Sequence, residues 1–262
     1  MHAPAPAAGV LELIAARRPD LVAISGDMTQ RAKPGQFREA REWVQQISES
    51  SLAVPTLTVP GNHDVPLYRV WERFFAPLQA YRNHFSDNPT PVFEDDELFV
   101  LGLNSARSWA FTNGRVGRRQ RQEAIDRLAA APAHKIRLVV VHHSLLPTPR
   151  YGSQQILVGA RAAVDAFAEH GVEAVLSGHR HQTAVTSSTA YYPKSSPGFL
   201  VVQSGTTTSH RGRGCEHRRC TCNWLTVDQD HWTIECLLWQ EGSGQFEATS
   251  RHVFPRSHHE SR

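Results

Sequence analysis

The chain has 262 residues, 40% hydrophobic and 20% charged, enough to bury a sizeable core in one large domain or two small ones. A formal net charge of +3 demands neither nucleic acid nor an anionic membrane as partner. The absence of a signal-peptide pattern and of a transmembrane-length apolar run, with only four cysteines, points to a cytoplasmic protein rather than a secreted disulfide scaffold.

Residues 7–18 are good helix formers stopped by Pro19. Leu21 to Ser25 predicts a short strand buried on both faces, ending at Gly26-Asp27. From Pro34, a first-turn residue, Phe37, Ala40, Val44 and Ile47 recur at helical spacing. The strand Thr56 to Val59 ends at Pro60, and Gly61 lets the backbone turn before Asn62. Leu67 to Phe85 predicts a helix against the sheet through Val70, Trp71, Phe74, Leu78 and Tyr81, with Pro77 able to break it. Phe93 and Leu98 to Leu103 predict strands around the acidic turn Glu94 to Glu97, and Arg118 to Ala131 a helix with Ile125 and Leu128 inward. There follow a strand over 136–141, a polar loop through Pro147, Pro149 and Gly152, a helix over 159–170 and a strand over 172–176. Beyond Thr183 strands dominate: Thr183 to Ser188, Phe199 to Gln203, Cys222 to Val227 and Trp232 to Trp239. The expectation is one domain over 1–249 and a poorly ordered, His-rich tail over 250–262. Helix–strand alternation followed by strands predicts an α/β fold of two packed sheets with helices outside.

Four predicted strands end in polar stations. They are Ser25-Gly26-Asp27, Gly61-Asn62-His63-Asp64, His142-His143 and Gly178-His179-Arg180-His181. Loops at the carboxyl ends of strands in an open α/β sheet share one edge, where ligands sit. An Asp, an Asn and several His delivered to one crevice form a donor set for divalent metal. Each station alone is also a plain turn, helix cap or polar loop. Four in one order outweigh that reading.

The ordered set resembles the calcineurin-like metallophosphoesterase superfamily, and most closely its bacterial branch of cyclic-nucleotide phosphodiesterase-like proteins, over residues 7 to 210. The resemblance implies a four-layer αββα sandwich with two divalent ions (manganese, iron or zinc) at the strand ends. It implies that Asp27 bridges the ions, that Asn62, His142 and His179 complete one site, and that His181 belongs to the other. His142 is chosen over His143 because it directly follows the strand. His63 would be catalytic, protonating the leaving group or stabilising charge on the phosphoryl oxygens, while Asp64 steadies the loop or orients His63. The implied reaction is hydrolysis of a phosphate ester, most naturally a diester, by a hydroxide generated at the metals. Small-molecule phosphate esters are the expected substrates, nucleic-acid ends stay open, and no membrane partner is implied. Loops 104–117 and 144–158 carry no code for the substrate, and oligomeric state has no signature.

One departure matters. The family opens with a strand ending in Asp-x-His that supplies two metal ligands, whereas here only His2 precedes Asp27 among histidines. The first strand of the sandwich is missing, so the chain is expected to hold one ion well and a second poorly. Two explanations follow: an internal start at Met1 with a natural chain extending upstream, or a catalytically impaired or regulatory relative binding one metal. The apolar Leu21 to Ser25 strand, which would be left with an unpaired edge, favours the first. Cys215, His217, Cys220 and Cys222 match no usual zinc signature. The neighbouring Arg211, Arg213, Arg218 and Arg219 predict a solvated basic hairpin tip.

Overall fold

The structure, a computed structural model, describes residues 3–49, 53–109, 112–147 and 156–256. Six strands form one mixed sheet in the order β3-β4-β5-β6-β8-β7: β3 (Val92–Glu94), β4 (Leu98–Leu103), β5 (Ile136–Val141), β6 (Val172–Ser177), β7 (Ala184–Ser187) and β8 (Leu200–Gln203). β4, β5, β6 and β8 are parallel, with β3 and β7 antiparallel at the two edges. The central strands are covered on both faces, which is why they are nearly unbroken apolar runs.

Successive side chains in a strand point to opposite faces. Leu101, Leu103, Val139, Val141, Val175 and Val201 therefore pack against α5 (Arg118–Ala130) and α6 (Ala160–Glu169) through Leu128, Val164 and Phe167. Val100, Leu138, Val140, Ala174 and Val202 face the other way, onto Leu57, Val59, Trp232 and Ile234 of a second strand layer. That layer comprises a parallel pair, β1 (Val22–Ile24) with β2 (Thr56–Thr58), and an antiparallel trio, β9 (Thr221–Val227), β10 (His231–Gln240) and β11 (Gln245–Pro255). α1 (Pro4–Arg17) and α2 (Pro34–Ser48) cover it from outside, with Val10, Ile14 and Ile47 in one cluster with Leu237 and Phe246. Helix, sheet, sheet, helix is the αββα sandwich.

Several local expectations are corrected. α1 starts at Pro4 rather than Ala7, since proline suits the first helical turn. β1 is half-buried rather than buried on both faces, because among the described residues it pairs with β2 alone. The helix expected over Leu67 to Phe85 is two short ones, α3 (Val70–Phe75) and α4 (Gln79–His84), parted around Pro77. Trp71 and Phe75 are 78% and 77% exposed and stack on each other at 5.4 Å instead of on the sheet, whereas Leu78 and Tyr81 are buried. Pro149 and Gly152 lie outside the described residues. Among those described, no helix is long and apolar enough to cross a membrane.

The tail expected from Ser250 is strand as far as Pro255, so no boundary falls after residue 249; residues 257–262 lie outside the described set. β11 pairs along β10 and is fastened at its end by Arg256, whose Nη2 and Nε donate to the two oxygens of Glu173 at 2.8 and 2.9 Å. Trp232 Nε1 donates to the same carboxylate at 3.1 Å. The Glu173 side chain is only 8% exposed, so removing it takes the carboxylate away from a part-buried guanidinium and from the Trp232 N–H at once. Glu173→Ala is expected to cost about 3 kcal/mol. Urea unfolding measures this, and an unchanged midpoint would show the pair to be dispensable.

Candidate metal centre

Parallel pairing brings the carboxyl ends of β1 and β2 together, and those of β5 and β6. The loop after β1 turns at Gly26, whose φ of +98° only glycine adopts freely. A Cβ there would lie 2.7 Å from the Gly61 nitrogen and 2.8 Å from His142 Nδ1, so the three loops meet at this point. The loops after β5 and β6 are joined by Gly178 N–H donating to the His142 carbonyl at 3.0 Å. Asp27, His179 and His181 all occupy the left-handed region, at φ of 58°, 71° and 54°. Such strain in non-glycine residues clusters at functional sites.

Four of the residues singled out in the sequence come together. His142 Nδ1 donates to the Ser25 carbonyl at 2.7 Å. A carbonyl can only accept, so the proton of neutral His142 resides on Nδ1 and Nε2 carries a lone pair. That Nε2 lies 3.0 Å from Asn62 Oδ1 and 3.4 Å from Asp27 Oδ1. His179 Nδ1 completes the set, 2.9 Å from Asn62 Oδ1 and 3.3 Å from His142 Nε2. Electron-rich atoms crowded in this way repel one another unless a positive charge sits among them. A proton on one nitrogen serves two of them, whereas a cation serves all. Asp27 Oδ2, buried without a hydrogen-bond partner, remains open on the other side of the carboxylate. The donor set therefore fits a divalent ion.

The electrostatics agree. Burial alone would raise the Asp27 carboxyl, but the imidazoles of His142 and His63 and the His63 N–H, 2.9 Å away, outweigh it and hold the group below its ordinary value. Burial, followed by the proximity of His142, lowers His179 to about 3. Burial, followed by the charge of Arg211, lowers His181 to about 4. Both rings are neutral at physiological pH and need release no proton to bind metal. His181 stands apart from the tight group. Its Nδ1 donates to the Arg211 carbonyl at 3.1 Å, while the ring feels the Asp27 charge.

Asp64 is fully buried and ties two loops together. Its Oδ1 accepts from the N–H and hydroxyl of Thr29 at 2.9 and 3.1 Å, and its Oδ2 accepts from the N–H of Gly61 and Met28 at 2.9 and 3.2 Å. Burial, then the neighbouring Asp27 charge, raises its pKa to about 7 against the pull of those donors. Of the two roles expected for Asp64, steadying the loop matches these bonds. His63 is oriented instead by the Gln30 carbonyl, which accepts from Nδ1 at 2.9 Å.

Two residues gain importance that the sequence did not give them. His143 lies with His142 and His179 in one group whose ligand-type atoms are within 4.8 Å of one another. Its Nδ1 is bound to Ser105 Oγ at 2.7 Å, and its Nε2 is buried without a partner. Arg211, expected on a solvated tip, is half-buried at the site, with Nη2 donating to His63 Nε2 at 3.1 Å. Among the described residues, Cys215, His217, Cys220 and Cys222 form no convergent ligand group.

A carboxylate, an amide and imidazoles meeting at the parallel-strand ends of an αββα sandwich define a metal-type centre. The sequence profile of calcineurin-like phosphoesterases matches residues 3–183, and the chain belongs to that family. It is 27% identical over 186 residues to a protein of Synechococcus sp. described as a probable cyclic nucleotide phosphodiesterase, a match covering 68% of this chain. The chain spans 64% of that relative's length. Among solved structures it is similar to a dimetal phosphatase from Danio rerio, with a TM-score of 0.67 and 12% identity, covering 97% of this chain and 89% of that one. It is also similar to the purple acid phosphatase PPD1 from yellow lupin seeds, with a TM-score of 0.67 and 13% identity, covering 95% and 48% respectively. At such identities the likeness is one of fold.

Proposed function

We propose that the chain is a metal-dependent phosphodiesterase whose principal ion is held by Asp27, Asn62, His142 and His179. The observation that carries this reading is the crowding of Asp27 Oδ1, Asn62 Oδ1 and His179 Nδ1 around a His142 Nε2 whose ring proton is committed elsewhere. A divalent ion supplies Lewis acidity toward a phosphoryl oxygen and lowers the pKa of bound water. The chain's own residues do the positioning. His63 N–H fixes Asp27 Oδ1, Ser25 fixes the His142 ring, and Asp64 holds the Asn62–His63 loop against the Asp27 loop. His63, its ring held by the Gln30 carbonyl, is assigned to face the substrate.

Asp27 and His181 are the residues that would hold a second ion. Held by these two residues alone, such an ion would bind more weakly than the first. A small phosphate diester is the favoured substrate, with cyclic nucleotides the first class to try because of the Synechococcus relative. Hydrolysis of bis(p-nitrophenyl) phosphate with added manganese tests the reading, with bound metal counted by elemental analysis. Turnover by the wild type, lost on chelation and in Asn62→Ala, is the expected result. A wild type that retains one tightly bound ion and turns over nothing would be an impaired, one-metal binding protein instead.

A further inference from the structure

Arg211 sits between β8 and β9, beyond residues 3–183 that match the family profile. Its main chain is strapped to the Gly178–His181 loop at two points. The Arg211 carbonyl accepts from His181 Nδ1 at 3.1 Å, and the N–H of Arg213 donates to the His181 carbonyl at 2.8 Å. Gly212 between them has no room for a side chain, since a Cβ would overlap the carbonyl of Glu216. The guanidinium is thus placed by a fixed backbone rather than carried on a loose loop.

What the guanidinium touches is unusual. His63 Nδ1 gives its proton to the Gln30 carbonyl, so Nε2 is the acceptor and Arg211 Nη2 donates to it at 3.1 Å. Burial lowers the Arg211 pKa, and the Asp27 carboxylate works against that; the group remains a cation. The salt bridges among the described residues do not include it. A permanent positive charge placed on an imidazole rather than in a salt bridge, beside a metal-type centre, is a charge held for an anion.

Resting on the phosphodiesterase reading, we infer that Arg211 is a substrate-binding residue that moves from His63 Nε2 onto the non-bridging oxygens of the phosphate ester. A guanidinium presents two parallel N–H donors that match two such oxygens, and charge-assisted bonds of this kind are about twice as strong as neutral ones. The same movement frees His63 Nε2, the present acceptor of that bond.

The test is titration of the metal-loaded protein with inorganic phosphate by calorimetry, paired with steady-state hydrolysis of bis(p-nitrophenyl) phosphate. Arg211→Ala is expected to weaken phosphate binding by about tenfold or more and to raise KM more than it lowers kcat. Arg211→Lys, which keeps the charge and loses the planar fork, is expected to lose about threefold or more. Arg213→Ala, an exposed neighbour, is expected to stay within about twofold, which separates a placed guanidinium from a generally basic loop. A folded Arg211→Ala or Arg211→Lys that binds phosphate like the wild type overturns the inference and leaves the phosphodiesterase reading intact. Should Arg211→Ala not fold, Arg211→Lys decides. A wild type that hydrolyses nothing and binds no phosphate overturns both.

Discussion

His179→Ala is expected to weaken divalent-metal binding by about a hundredfold or more and to abolish hydrolysis with it. Loss of an outer partner that merely orients a ligand already costs about 10–100-fold in affinity, so loss of a ligand itself should cost at least the upper figure. His179 Nδ1 lies 2.9 Å from Asn62 Oδ1, and its removal opens one side of the donor set. The ring also packs against His143 and His142 at centroid distances of 4.5 and 5.1 Å, so part of any loss is packing. Melting the chelated proteins first measures that part. Manganese at about a hundred times the wild-type Kd should then stabilise the wild type by about 2.7 kcal/mol. A variant with a hundredfold weaker site gains only about 0.4 kcal/mol at the same concentration. Equal metal-induced shifts in the two proteins would remove His179 from the ligand set, and His143 would be the next residue to replace.

The stations at the strand ends were legible because the parallel strands that deliver them are short apolar runs, three of the four closed by Gly-containing turns. Gly26-Asp27 and Gly61-Asn62 needed no knowledge of distant contacts to be placed on one edge. What escaped depended on partners far along the chain. β11 is mostly exposed and polar, as expected of an edge strand, and its pairing is dictated by β10 rather than by its own composition. Residues 250–255 therefore passed for a loose tail. Val70 to Phe75 has the apolar content of a packed helix, yet the break near Pro77 leaves Trp71 and Phe75 facing outward. Arg211 lies 148 residues from His63, with no motif to join them. One cue did exist: β8 is parallel to β6, so the chain after Gln203 leaves from the same sheet edge as Gly178 to His181. A basic run there belongs to the site's rim.

Gly61→Ala is expected to lower turnover by about a hundredfold without any change in a ligand or a charge. Gly61 has φ of −99° and ψ of 179°, a conformation that alanine adopts freely, so backbone strain plays no part. The effect is a collision: the added methyl would overlap both the main-chain nitrogen and the Oδ1 of Asp27. A flexible side-chain tip could rotate away, but a main-chain atom can only move with its loop. Moving either loop also pulls on the Asp64 bonds from Gly61, Met28 and Thr29. Overpacking of this kind costs about 1–3 kcal/mol of stability. Misplacing catalytic atoms by about 1 Å costs about 10²-fold in rate, so function should fail well before folding does. Two other glycines calibrate the argument. At Gly178 the methyl meets mainly Ser25 Oγ, at 2.8 Å, which can turn aside, so Gly178→Ala should lose less than Gly61→Ala. At Gly117 nothing lies within 4 Å, and Gly117→Ala should match the wild type in turnover. Rates measured across the three variants, each checked for folding by circular dichroism, should follow that order. If Gly61→Ala turned over as fast as Gly117→Ala, close apposition of the two loops would not be what holds Asp27 in its catalytic position.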